Sequence, residues 1–99
     1  MIVRRGATWE NNELRLAKAL AIEKEINSDI RYAVEFNDSE IRLTATESRV
    51  NTLKFYKFSS GYLKMVFKHE DIPDYFRNKV SGKMNLQFEK TDSQLILKI

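Results

Sequence analysis

Glu10–Ile26, ENNELRLAKALAIEKEI, is the stretch on which the fold turns. It consists mostly of good helix formers and holds no Gly, no Pro and no β-branched run, so intrinsic propensity predicts a long N-terminal helix. Leu16, Ala19, Leu20, Ile22 and Ile26 form a broad apolar sector on that helix. Arg15 and Glu23 interrupt the sector, which fits a helix lying across a sheet better than one inside a bundle. Thr8, with Asn11 three residues on, is a candidate N-cap without the full capping box, and Asn27-Ser28-Asp29 supplies a stop. Trp9, at the helix start, is expected to anchor in the core or its rim. Ahead of it, Ile2–Arg5 reads as a short strand, and Arg4-Arg5 as a candidate phosphate-contacting arm.

Downstream of Asp29 the apolar period changes from helical to two. In RYAVEF, Tyr32, Val34 and Phe36 share a face; in IRLTAT, Ile41, Leu43 and Ala45 do, and Asn37-Asp38-Ser39 between them is turn chemistry. A second hairpin is expected over LKFYKFSSGYLKMVFK, residues 53–68. A third joins MNLQF to QLILKI, with Met84, Leu86, Phe88, Leu95, Leu97 and Ile99 inward. EDIPDYFRNKVSG, residues 70–82, predicts a short helix with Asp71 as N-cap, Pro73 in the first turn and Gly82 past its end. Ile72, Tyr75, Phe76 and Val80 give its buried stripe. The expected architecture is one α+β domain, residues 1–99, in the order α-ββ-ββ-α-ββ. Two helices would pack on a mostly antiparallel sheet of about six strands, leaving the other face open.

Composition narrows the function classes. The chain is 42% hydrophobic and 31% charged, as expected of a globular domain rather than a disordered one. It has no cysteine, which removes disulfides, thiolate metal sites and cysteine nucleophiles together. No apolar stretch approaches a membrane span and no signal-peptide core opens the chain, so a cytoplasmic protein without membrane contact is expected. The three glycines, Gly6, Gly61 and Gly82, are too far apart for a phosphate loop. No cofactor or metal site is expected. His69, the single histidine, has no spaced partner for a metal, and its neighbour Asp71 is accounted for as a helix cap.

Charge is where the chain departs from the ordinary. The formal net charge is only +3, yet no acidic residue lies between Glu47 and Glu70, where Arg49, Lys54, Lys57, Lys64 and Lys68 fall. The rest of the chain holds twelve basic and fourteen acidic residues, so the entire basic excess sits in one hairpin-sized segment, residues 48–69. Phe55, Tyr56, Phe58, Tyr62 and Phe67 are interleaved with those cations.

The hairpin's register decides which rings are exposed, because a one-residue slip exchanges the faces. A two-residue loop at Ser60-Gly61 would put Lys57 opposite Lys64 and Lys54 among apolar side chains. A three-residue loop, Ser59-Ser60-Gly61 with Gly61 left-handed, avoids both. It places Tyr56 beside Lys64 and Phe58 beside Tyr62 on an outer face, with Leu53, Phe55, Leu63, Met65 and Phe67 inward. Rings framed by ammonium groups suit single-stranded nucleic acid, which stacks bases on rings and neutralises phosphates with cations. The expected function is therefore a small, non-enzymatic nucleic-acid-binding or regulatory protein. Its site would be Lys54, Tyr56, Lys57, Tyr62, Lys64 and Lys68, with Arg49 and Arg42 at the margin. The alternative is a protein-interaction or self-association (homodimer) module using the same aromatic patch. Third is a small ribonuclease-type toxin with Tyr62, Lys64, His69 and Arg77 as acid–base candidates.

Overall fold

The computed structural model describes residues 6–79 and 82–99. Glu10–Ile26 is not one helix. It begins as a hairpin of β1 (Ala7–Glu10) and β2 (Glu13–Leu16) and ends in a short helix, α1 (Lys18–Glu23). Asn11 and Asn12 form the two-residue connection with φ of 53° and 63°, the doubly left-handed turn whose twist matches that of the flanking strands. Asn tolerates that conformation better than any residue except glycine. Ala7, Trp9, Leu14 and Leu16 point inward and are buried, whereas Glu10, Glu13 and Arg15 line the outer side. A helical stripe has no place for Leu14 beside Leu16; a strand buries both. Thr8 accordingly lies within β1 instead of capping a helix, and Ile22, assigned above to a buried sector, is 66% exposed on α1.

The remaining strands are β3 (Arg31–Phe36), β4 (Glu40–Thr46), β5 (Thr52–Lys54), β6 (Tyr56–Lys57), β7 (Leu63–Val66), β8 (Met84–Lys90) and β9 (Gln94–Lys98). They pair in the order β5-β3-β4-β9-β8-β1-β2-β7-β6, and every pairing is antiparallel. The two ends of that order, β5 and β6, are consecutive in the chain and joined through Phe55. The sheet therefore curls into a nearly closed barrel; the described residues hold nine strands in place of the expected six or so, and no long helix. Curling leaves as edges only the short strands β5 and β6, in place of the long edges that an open sheet carries. β8 makes the corresponding passage on the other side, pairing with β1 through residues 84–86 and with β9 through residues 87–90.

Two of the expected hairpins, β3–β4 and β8–β9, are present within this ring; the central one survives only as the short β6–β7 pair, because β5 leaves it to pair with β3. Tyr32, Val34 and Phe36 face Ala45, Leu43 and Ile41 across β3–β4, and Phe88 faces Leu97 across β8–β9. The interior contains Trp9, Leu14, Leu16, Ile41, Leu43, Phe55, Met65 and Leu97. Ile99, expected inward, is exposed.

The helices close the barrel's two mouths. Ile26, following α1, lines a small cavity with Ile30, Tyr32, Ala45 and Leu95, where β3 begins. At the opposite end α2 (Asp74–Lys79) inserts Phe76, whose ring meets Trp9 at 5.4 Å and Phe36 at 5.0 Å. Ile72 and Phe76 are buried as expected, but Tyr75 is exposed and its hydroxyl donates to the Phe36 carbonyl at 2.9 Å. Asp71 lies in a single 3-10 turn, His69–Asp71, and does not cap α2. The expected strand at Ile2–Arg5, the Arg4-Arg5 arm and Val80 fall outside the described residues. Among the described residues no helix is long and apolar enough to cross a membrane.

Candidate nucleic-acid interface

The loop between β6 and β7 closes with Gly61 N donating to Phe58 O at 2.8 Å and Phe58 N to Tyr62 O at 3.0 Å. Gly61 has φ of 97°, and a Cβ there would lie 2.6 Å from Lys18 Cδ, so the residue is selected both by conformation and by the α1 lysine stem laid over the loop. The register that follows sets Tyr56 opposite Lys64 and Lys57 opposite Leu63. Phe55, Leu63, Met65 and Phe67 go inward, and Tyr56, Phe58 and Val66 remain at the surface. Beyond Tyr56 the two strands diverge. Leu53 pairs with Tyr32 and Met65 with Leu14.

Phe58 and Tyr62 form a nearly parallel stack, centroids 4.7 Å apart and planes inclined by 10°. Lys64 Nζ lies 4.7 Å from the Phe58 centroid, a cation–π contact. Phe58 is thus occupied by its own neighbours. Tyr56, 59% exposed, is the most open ring of the three.

The cations on this face are less free than a residue count suggests. β2 runs beside β7 and puts Arg15 opposite Lys64 and Glu13 opposite Val66. The Glu13 carboxylate accepts from Arg15 Nη2 at 2.8 Å and from Lys64 Nζ at 3.4 Å, while Arg15 Nη1 stands 3.8 Å from Glu10. The Arg15 hydrogen bond, with Lys64 adding to it, holds the Glu13 carboxyl below the ordinary glutamate value; the Glu13 hydrogen bond in turn raises Arg15. A carboxylate belonging to the stretch read as a helix therefore neutralises a lysine central to the expected site.

The other expected residues separate into four places. Arg42 lies on β4, opposite Glu35 and two strands from β5, and donates to Glu40 through Nη2 at 2.6 Å; that bond holds the Glu40 carboxyl low. Lys68 follows β7 at the end next to the β1–β2 turn, where Phe67 N donates to Asn12 O at 3.0 Å. Lys57 turns toward α1 and lines a groove of about 550 Å³ with Lys18, Ile22, Glu25 and Asp29. Lys54 and Arg49 lie on the β3 side of Phe55. Lys54 sits directly opposite Arg31, a residue the sequence reading left unassigned, and Arg31 with Arg49 lines a groove of about 530 Å³.

Of the ribonuclease candidates, Tyr62 and His69 lie beyond opposite ends of β7. Arg77 Nη1 donates to the His69 carbonyl, not its imidazole, at 2.8 Å, and Arg77 also pairs with Asp74. Among the described residues no group of three or more His, Cys, Asp or Glu side chains is placed to hold a metal ion. Comparison of the chain with protein-family models, with curated proteins and with solved structures finds no match.

Proposed function

We propose that this chain is a small non-enzymatic protein that binds single-stranded nucleic acid along the outer side of β6 and the strand segment leading into it. The observation that carries the reading is the open Tyr56 ring next to the stacked Phe58–Tyr62 pair, on a strand face that also bears Lys54 and Lys64. A base stacked on such a ring contributes about 1–3 kcal/mol by alanine substitution, and any base supplies a face to stack. Lys64 acts mainly by positioning Phe58, because Glu13 offsets its charge. The reading accordingly rests on rings first and on cations second.

The test is a titration of the full chain with mixed-sequence single strands of DNA and RNA at several salt concentrations. Binding that weakens with salt, and Tyr56→Ala that lowers affinity about 5- to 100-fold, are expected. Absence of binding at low salt, or an unchanged affinity in Tyr56→Ala, sinks the proposal. A second reading draws on Tyr56, Phe58 and Val66 all being exposed on one side of the barrel: self-association through this apolar patch. Light scattering on the same samples distinguishes it, since Tyr56→Ala then dissociates an oligomer whether or not an oligonucleotide is present.

A further inference from the structure

Cations on the outer strand faces have two different fates. Arg15 and Lys64 share Glu13, Arg42 has Glu40, and Lys98 lies 3.6 Å from Glu89. Arg31 and Lys54 are direct cross-strand neighbours on β3 and β5, yet among the described residues neither takes part in an ion pair. Like charges directly opposite one another in a sheet are destabilising unless something bridges them. Nothing among the described residues does so here.

Arg31 is also held in place. Its Nε donates to Thr52 Oγ1 at 2.9 Å, and that nearly buried hydroxyl donates onward to Ser48 O at 3.0 Å. Ser48 N in turn donates to Thr46 Oγ1 at 3.1 Å, fixing the turn that carries Arg49. Thr46 is the next residue in the row, opposite Arg31 on β4, and its hydroxyl proton is left free to donate. Anchoring through Nε leaves both terminal nitrogens of Arg31 available, the geometry with which a guanidinium forks onto a phosphate. Arg31, Thr46 and Arg49 all line the groove of about 530 Å³.

We infer that the row Lys54–Arg31–Thr46, with Arg49 beside it, is a phosphate site for the backbone of a single strand whose bases stack on Tyr56. The inference rests on the proposed nucleic-acid reading and gives the strand its path. Lys54 and Tyr56 are two residues apart on the same continuous segment, so a phosphate over Arg31 and a base over Tyr56 lie about 7–10 Å apart by strand spacing, a reach one or two nucleotides span. Asp29 and Glu47 line the groove as well. They keep its charge too nearly balanced to hold a free phosphate tightly. Occupancy then comes from tethering, since a strand already stacked on Tyr56 presents its phosphate at high effective concentration.

The experiment compares wild-type protein, Arg31→Gln/Lys54→Gln and Lys64→Gln against a mixed-sequence single strand over a range of salt. Each lost phosphate contact reduces the salt slope by about 0.7 for a single strand. The double variant is therefore expected to lose about 1.4 from the slope, so its affinity deficit grows about tenfold between about 300 and about 50 mM salt. Lys64→Gln leaves the slope within error. Thermal midpoints of the variants confirm folding, and Arg31→Lys, which keeps charge but not the fork, is expected to recover the slope without the full affinity. An unchanged slope in the double variant, with binding and Tyr56 dependence intact, overturns the phosphate site and leaves the ring surface standing. If wild type binds no strand at all, the nucleic-acid reading fails. Pyrophosphate added to that protein at a concentration high enough to take the place of the tether then decides the site: NMR shifts at the Arg31 Nε–H sustain it as an anion site, and their absence overturns it.

Discussion

Two pairs of cations in this barrel occupy the same position relative to their strands. Arg15 faces Lys64 across β2–β7, and Arg31 faces Lys54 across β3–β5. In the first pair a carboxylate two residues along the strand, Glu13, reaches both partners. In the second, the residue two along from Arg31 is Ala33, opposite Thr52 as Glu13 is opposite Val66, and no carboxylate among the described residues bridges the pair. Like charge across a ladder costs stability in either place. The fold offsets that cost internally on one side of Phe55 and leaves it standing on the other. A local excess of lysine in the sequence therefore says little about where a field emerges, because the neighbouring strand decides which charges are cancelled.

The largest effect is expected at the junction between the two pairs. Phe55 is fully buried and edge-on to Tyr32 at 5.8 Å, and it joins β5 to β6. Phe55→Ala is expected to cost about 3–5 kcal/mol and to lower stability on both sides at once. Urea unfolding followed by amide signals from β3 and from β7 should give coincident, shifted transitions; separate transitions would show that the pairs belong to independent units. Next is Gly61→Ala, which forces a side chain into left-handed backbone against the Lys18 stem and is expected to cost about 1–2 kcal/mol. Its amide shift changes should stay around β6–β7 and spare the Arg31 row, as two-dimensional NMR would report.

A smaller effect comes from unmaking the internal bridge. Glu13→Gln leaves Arg15 and Lys64 facing each other without their carboxylate and is expected to destabilise by about 1 kcal/mol near neutral pH, after allowance for solvent screening. The Glu13 pKa is depressed in the folded protein, so its contribution is present above the ordinary glutamate value and is lost as pH falls through the lowered folded value. Denaturation across that acid range should be less steeply pH-dependent in the variant, and the two released cations should increase the salt slope of any strand binding. The smallest expected change makes the open pair resemble the closed one. Ala33→Glu gives Arg31 and Lys54 the carboxylate that Glu13 provides elsewhere, for a gain of a few tenths to about 1 kcal/mol. Thermal unfolding reads the gain, and oligonucleotide titration should show the phosphate contribution lost.

Alternation made most of the inward face of β3–β4 and β8–β9 legible, apart from the exposed Ile99 and the buried Ile96, because a slipped register would expose the apolar side chains. The same reasoning found the Tyr56–Lys64 register, since only a three-residue loop keeps Lys57 away from Lys64. ENNELRL misleads because its residues carry good helical propensity, worth only tenths of a kcal/mol each, whereas pairing with β8 and β7 buries Trp9, Leu14 and Leu16. The signal available was the paired Asn11-Asn12 between alternating segments, a strong hairpin connection. Cancellation of Lys64 by Glu13 was not legible, because the two are 51 residues apart and meet only through the β2–β7 ladder.

From its amino acids alone the chain determines which side of most strands turns inward and which rings of the central hairpin stay at the surface. Those features follow from local alternation and loop chemistry, which act over a few residues. Closure of the barrel through Phe55, the pairing of Glu13 with Lys64 and the open Arg31–Lys54 row were decided by tertiary structure. Each depends on which strands become neighbours, and long-range burial, not local propensity, makes that choice.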